Sequence, residues 1–260
     1  MIHAAREAGK VLLKYYGKSF SIKEKDIDNI VTEADKEAEQ KILDILNHEY
    51  DFNVFSEEFG ESDTKSDYTW IIDPIDGTSN FVKRIPYFCT SIGLFKNGLP
   101  EAGVVFQPAF EELFHAEAGR GAFLNNRSLS IKELSPPVLL SCNHGYGKVA
   151  RLKHVDALQG IMQVFDNNRL YGASALDLAY LADGRLDCFV TFGDELYDVA
   201  AGILIAKEAG YEISNWKGEE WTTDMPDLLV VHPGLKNKIV ELISGTSDWQ
   251  SGEPNKSDVN

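Results

Sequence analysis

The sequence predicts a layered protein of mixed class, an α+β half followed by an α/β half. Three observations carry that prediction. Apolar residues recur at helical spacing in two stretches near the N-terminus, a run of short strand-like segments punctuated by turn dipeptides fills the middle, and strand and helix patterns alternate after Pro136-Pro137. The 260 residues, 43% of them hydrophobic, are enough to bury a core as one large domain or two smaller ones.

In chain order, Ile2, Ala5, Gly9, Leu12, Leu13 and Tyr16 predict an amphipathic helix stopping at Gly17. Ser19 to Lys25 alternates weakly, as an edge strand would. Asn29 to Asp35 then leads into a helix through about Glu49, with Ala34, Ala38, Ile42 and Ile45 inward. Asn53 to Glu58 reads as a strand ending in paired glutamates, and Gly60 to Asp67 as a mobile polar loop. Trp70-Ile71-Ile72 is a buried strand, and Gly77-Thr78 opens a helical turn. Strands at 88–95, 101–106, 112–116 and 121–124, divided by Asn97-Gly98 and Asn125-Asn126, predict an antiparallel meander.

Pro136-Pro137 marks the expected boundary. It divides an α+β domain over 1–137, carrying two N-terminal helices, from an α/β domain over 138–245. The second half alternates a strand at 138–142, a helix near 149–162, a strand at 169–172, a helix at 175–183, a strand at 186–192 and a helix at 196–209. A strand at 228–231 and a helix at 233–243 complete it. Residues 246–260, rich in Ser, Asp, Asn and Gly, read as a disordered tail.

A net charge of −16 argues against a nucleic-acid or anionic-membrane binder, since both rely on basic patches, and favours cations. The three cysteines, Cys89, Cys142 and Cys188, lack the paired spacing of a zinc site, and an odd count disfavours a disulfide framework. With no signal-peptide core near Arg6, Glu7 and Lys10 and no apolar run long enough to span a bilayer, the expected setting is the reducing cytoplasm. The six histidines are scattered without metal spacing and are expected outside the site.

Chemistry concentrates in Trp70 to Phe81, where a strand feeds a helix start through Asp73-Pro74-Ile75-Asp76. Carboxylate oxygens in such a loop suit hard cations, and the free N–H groups of Gly77 and Thr78 suit a phosphate. Asp-Pro and Asp-Gly are also ordinary turn dipeptides, and Asp76 or Thr78 equally serves as a helix cap. The spacing excludes a P-loop, an EF-hand and the Asp-x-Asp pair of aspartyl-phosphate enzymes. Thr32 and Asp35, three apart, form a capping box by spacing alone. Asp198, in the first turn of its helix, is favoured there by the helix dipole, and Ala200-Ala201-Gly202 lets that helix approach a neighbour closely.

The string from Trp70 to Phe81 resembles the signature of the inositol monophosphatase family, the lithium-sensitive, magnesium-dependent sugar phosphatases. Glu195 to Gly202 is similar to the family's second signature, with Tyr197 in place of tryptophan. The resemblance implies an α-β-α-β-α layered sugar phosphatase fold, commonly homodimeric, and hydrolysis of inositol monophosphate or a similar small polyol or sugar phosphate by direct attack of water.

By the same resemblance, two or three Mg²⁺ ions are held by Glu57, Asp73, the Ile75 carbonyl, Asp76 and Asp198, with Glu58 in a lesser part. Asp35 and Thr78 pair to orient the attacking water, with Glu57 contributing, and Asp76, Gly77 and Thr78 hold the phosphate. Gly172, Ala173 and Ser174 line the substrate pocket. Thr191 stands where inositol-specific members carry a glutamate, so it cannot supply that residue's charge to the sugar. Relatives acting on fructose 1,6-bisphosphate, a nucleotide phosphate such as NADP, or histidinol phosphate are the alternative enzymes. An acidic partner-binding module is the alternative outside enzymes.

Overall fold

The computed structural model describes residues 1–18, 22–26 and 29–245, with backbone alone for 22–31. The expected tail, 246–260, lies outside the described residues, as do 19–21 of the expected first strand. Two N-terminal helices, α1 (Ile2–Tyr15) and α2 (Glu33–Leu46), flank a small hairpin of β1 (Ile22–Asp26) and β2 (Asn29–Thr32). An eight-stranded sheet follows, built from β3 (Asn53–Ser56), β4 (Gly60–Ser62), β5 (Tyr68–Asp76), β6 (Cys89–Lys96), β7 (Leu99–Gln107), β8 (Glu112–Glu117), β9 (Ala122–Leu124) and β10 (Arg127–Leu129). Its order is β10-β9-β8-β7-β6-β5-β3-β4, antiparallel except where β3 runs parallel to β5. The short helix α3 (Thr78–Val82) leaves the end of β5.

The rest of the chain builds a five-stranded sheet from β11 (Leu140–Cys142), β12 (Asn168–Arg169), β13 (Cys188–Phe192), β14 (Glu212–Ser214) and β15 (Asp227–Val231), in the order β12-β11-β13-β15-β14. Helices α4 (Lys148–Ile161), α5 (Ser174–Ala182), α6 (Leu196–Ala209) and α7 (Lys236–Ser244) are interleaved with it, the last after a single 3₁₀ turn at Pro233–Leu235.

Strand periodicity stacks these pieces into five layers. On β7, Val104 and Phe106 face the core shared with α1 and α2, whereas Val105 faces α5 and α6. On β13, Phe189 faces α5 and α6 while Cys188 and Val190 face the core shared with α4 and α7. On β15, Leu228 and Val230 make the first choice, Leu229 and Val231 the second. The order is therefore α1/α2, large sheet, α5/α6, small sheet, α4/α7, the expected α-β-α-β-α fold.

The middle helices touch a sheet on each side, which is why α6 is buried without a break from Val199 to Ala206. Small residues make this possible: a Cβ on Gly202 would stand 2.6 Å from the Leu178 Cβ of α5. On α1 the inward stripe is Ala4, Ala5, Ala8, Gly9, Val11 and Leu12, so Ile2 and Leu13, expected inside, are exposed. Gly60 to Ser62 is likewise no loop but a strand paired with β3.

Candidate active site

The bend that creates the site lies inside a strand. β5 does not stop at Ile72 but runs on to Asp76, pairing Asp73 with Ser91 and Asp76 with Cys89 across an irregularity in register. Pro74 cannot donate to the ladder, and the break falls there, with the Thr90 hydroxyl donating to the Pro74 carbonyl at 2.9 Å. In a regular strand residues three apart face opposite ways; the extra residue turns Asp73 and Asp76 into one cleft. Gly77 then turns the chain at φ +85°, a conformation that side chains other than glycine's disfavour, and α3 begins.

The cleft, about 380 Å³ in volume, gathers Glu57 from the end of β3, Asp73, Ile75 and Asp76 from β5, and Asp198 from α6. Gly77, Thr78, Gly172 and Ser174 also line it. Asp35 stands behind this wall. Its Oδ1 lies 3.4 Å from the Thr78 hydroxyl, and one Oδ2 accepts the Thr32 N–H at 2.8 Å in a capping box at the start of α2. Thr78 also donates to the Ile75 carbonyl at 2.9 Å. A hydroxyl has one proton, so the shorter bond commits it to Ile75 and leaves the oxygen's lone pairs free.

Two expected pocket residues are not in the cleft wall. Ala173 and Thr191 are both 1% exposed, and neither lines the opening. The wall instead takes in residues the sequence reading passed over: Asn143, His144, Tyr146, Arg151 and Asp194. His144, expected outside the site, is thus part of it. The Gly193-Asp194 step directly before α6 was the available signal for Asp194.

Electrostatically the cleft is under strain. Burial raises the Asp73 carboxyl well above its ordinary range, and Glu57, Asp76 and Asp198 push it further. Asp198 is raised by burial and then by Asp194, Asp76 and Glu57, although its Oδ2 accepts the Glu195 N–H at 2.8 Å. Burial brings Asp76 to about 7, against the hydrogen bonds it accepts from Leu176 N–H at 3.1 Å and the Cys89 thiol. Asp35 reaches about 6, again chiefly by burial.

Against this donor set a bound cation can be tested. Asp73 is 2% exposed and its Oδ1 has no hydrogen-bond partner, an expensive state for a buried acceptor unless something positive meets it. The carboxylates and the Ile75 carbonyl of the cleft offer hard oxygens, the kind that suits Mg²⁺. Asp35, Glu57 and Glu58 also bring one oxygen each within 4.8 Å of one another. The residues fit a divalent metal.

Fold and cleft together define a layered α/β protein with an acidic, oxygen-rich cation cradle beside a helix start. Over residues 1–247 the chain belongs to the inositol monophosphatase family. It is 39% identical over 232 residues to the protein named Nus factor SuhB of Xylella fastidiosa, covering 85% of this chain and 82% of that one. Among solved structures it is similar to the extragenic suppressor protein SuhB of Bartonella henselae, with a TM-score of 0.88 and 31% identity over 94% of this chain and 96% of that one. The inositol monophosphatase of Thermotoga maritima gives a TM-score of 0.85 and 32% identity over 95% and 96%. No helix among the described residues is long and apolar enough to cross a membrane.

Proposed function

We propose that this chain is a Mg²⁺-dependent phosphate monoester hydrolase acting on inositol monophosphate or a similar small polyol or sugar phosphate. The observation that carries the reading is the buried, unpartnered Asp73 oxygen amid three further carboxylates, in a family of phosphatases. Glu57, Asp73, the Ile75 carbonyl, Asp76 and Asp198 would hold two or three ions, which would supply the positive charge that offsets the carboxylates and the phosphate and that lowers the pKa of a nearby water.

The chain's own groups do the rest. Backbone N–H groups of Gly77 and Thr78, with Asp76 beside them, position the phosphate at the start of α3. Thr78 accepts a hydrogen bond from the attacking water, and by turning its own proton from the Ile75 carbonyl to Asp35, 3.4 Å away, it passes the water's proton on to that carboxylate, with Glu57 contributing. Gly172 and Ser174 bound the leaving-group side. The same reading carries a cytoplasmic homodimer inhibited by millimolar lithium, which light scattering and a lithium titration check.

The test is phosphate release from inositol 1-phosphate, fructose 1,6-bisphosphate, NADP and histidinol phosphate, with and without Mg²⁺. Asp73→Asn is expected to abolish release at saturating Mg²⁺ and to remove the Mg²⁺-induced rise in melting temperature, while remaining folded. Unchanged turnover in that variant refutes the metal assignment. One observation favours a second reading, an acidic partner-binding module: the relatives from Xylella fastidiosa and Escherichia coli carry the name Nus factor SuhB rather than that of an enzyme. That reading predicts no release from any member of the panel.

A further inference from the structure

Glu39 is a buried acid that does not line the cleft. It lies on α2, 3% exposed, one helical turn beyond Asp35 and on the same inward face. Burial raises its carboxyl above the ordinary range, against the hydrogen bonds it accepts from Glu58, Ser56 and Phe59. An acid in such a place is costly, so what its oxygens hold matters.

They hold the end of β3. Oε1 accepts the Ser56 hydroxyl at 3.2 Å, and Oε2 accepts the Glu58 N–H at 3.1 Å. Those two residues flank Glu57. Side chains alternate along β3: Val54 faces the core shared with α1 and α2, whereas Phe55 packs toward α6, its ring 5.6 Å from that of Tyr197. Ser56 therefore points back at α2, where Glu39 meets it, and Glu57 follows Phe55 to the side on which α6 carries Asp198. The Glu57 N–H donates to the Ile72 carbonyl at 3.2 Å, which sets it alongside Asp73 on the parallel neighbour. One face of the strand end is fastened by Glu39, and the other presents Glu57 to the cleft.

The same helix bears Asp35, whose Oδ1 lies 3.4 Å from the Thr78 hydroxyl. Asp35, Glu57 and Glu58 each bring an oxygen within 4.8 Å of the others, so the spacing between α2 and the end of β3 decides how this corner of the site is drawn.

Resting on the metal assignment above, we propose that Glu39 is a positioning residue for the cation site: by holding both neighbours of Glu57 it keeps that carboxylate where a divalent ion can take it, and it touches no ion itself. α2 thereby carries two tasks on one face, Asp35 toward Thr78 and Glu39 toward the ligand strand.

The test is Mn²⁺ binding to the full chain without substrate, the free ion being counted by paramagnetic resonance; carboxylate oxygens take Mn²⁺ as they take Mg²⁺. Glu39→Leu keeps bulk and helix propensity but releases both bonds, and it is expected to raise the free Mn²⁺ concentration at half-filling by about 10- to 100-fold. Glu39→Gln can accept the Glu58 N–H with its carbonyl and donate to the Ser56 oxygen with its amide, so it is expected to stay within about 3-fold of wild type. A merely structural Glu39 would lower the melting temperature of the metal-free protein and leave Mn²⁺ affinity unmoved.

Weaker binding in Glu39→Leu with near-wild-type binding in Glu39→Gln upholds the proposal. Wild-type affinity in folded Glu39→Leu overturns it. So does a loss in Glu39→Gln equal to that in Glu39→Leu, which marks negative charge rather than placement as what the ion feels. If Glu39→Leu does not fold, Ser56→Ala, which removes one of the two bonds, takes its place with an expected loss of about 3- to 10-fold, and unchanged affinity there overturns the proposal. A wild type that binds no Mn²⁺ removes the metal assignment and this proposal with it, an outcome distinct from wild-type binding that the variants share.

Discussion

Replacing Gly77 by alanine tests whether the turn after the bulged strand sets the site. The residue has φ +85°, where a side chain costs about 1–2 kcal/mol. A Cβ there would also lie 2.9 Å from the Tyr87 carbonyl oxygen and 3.0 Å from the Ala173 Cβ. Neither neighbour yields freely: the Tyr87 carbonyl accepts the Asn80 amide at 2.9 Å, and Ala173 begins the turn into α5. Overpacking of this kind costs about 1–3 kcal/mol, giving a total of roughly 2–5 kcal/mol. In a chain of this size that lowers the melting temperature by roughly 5–15 °C. Because Gly77 sits between Asp76 and Thr78, a displacement near 1 Å is expected to slow phosphate release on the order of 100-fold. Urea denaturation and Mg²⁺-dependent phosphate release measure both. Wild-type stability together with wild-type turnover would refute the reasoning.

Three further outcomes are expected. Asp177 is fully buried and accepts hydrogen bonds from Tyr87 at 2.5 Å and Ser141 at 2.7 Å; burial brings its carboxyl to about 8. A carboxyl raised in the folded state favours folding below its unfolded value and loses that advantage as pH rises to the folded value, here about 6 kcal/mol in all between pH ~4 and ~8. Asp177→Asn should therefore gain stability on wild type as pH rises from 5 to 8.5; a constant difference in urea midpoints across that range contradicts it. Gly202→Ala meets Leu178 at 2.6 Å and should cost roughly 2–3 kcal/mol by urea denaturation. Thr78→Val removes the hydroxyl bonded to Ile75 and should reduce kcat by 10- to 100-fold with little change in melting temperature; a purely structural Thr78 would show the reverse.

How far the sequence could be read depended on which force set each feature. Leu196 to Ala209 was legible to the residue because a continuous small and apolar run is unambiguous as a buried helix. The Asn97-Gly98 turn was legible because only such residues adopt its positive φ angles easily. The family resemblance, carried by Trp70 to Phe81 and Glu195 to Gly202, announced the layered fold.

The bulge was harder: Pro74 argues locally against a strand, and only pairing with β6 overrides it. Among the three-residue strands, β4, β10 and β14 lack the apolar run that made β9 and β11 legible, and three positions are too few to show a period. Asn143 and His144 were missed because nothing in their immediate neighbours says that β11 and β13 end at the same cleft.

The grip of Ser174 and Leu176 on Asp76 joins points about a hundred residues apart in the chain. Contacts of such sequence separation form late in folding, after much loop entropy has been lost. The large sheet can acquire its strands and still lack a working centre until α5 arrives to seat that carboxylate. Catalytic competence is therefore a gauge of whether the last layers have closed, and refolding followed by activity should lag behind refolding followed by sheet content.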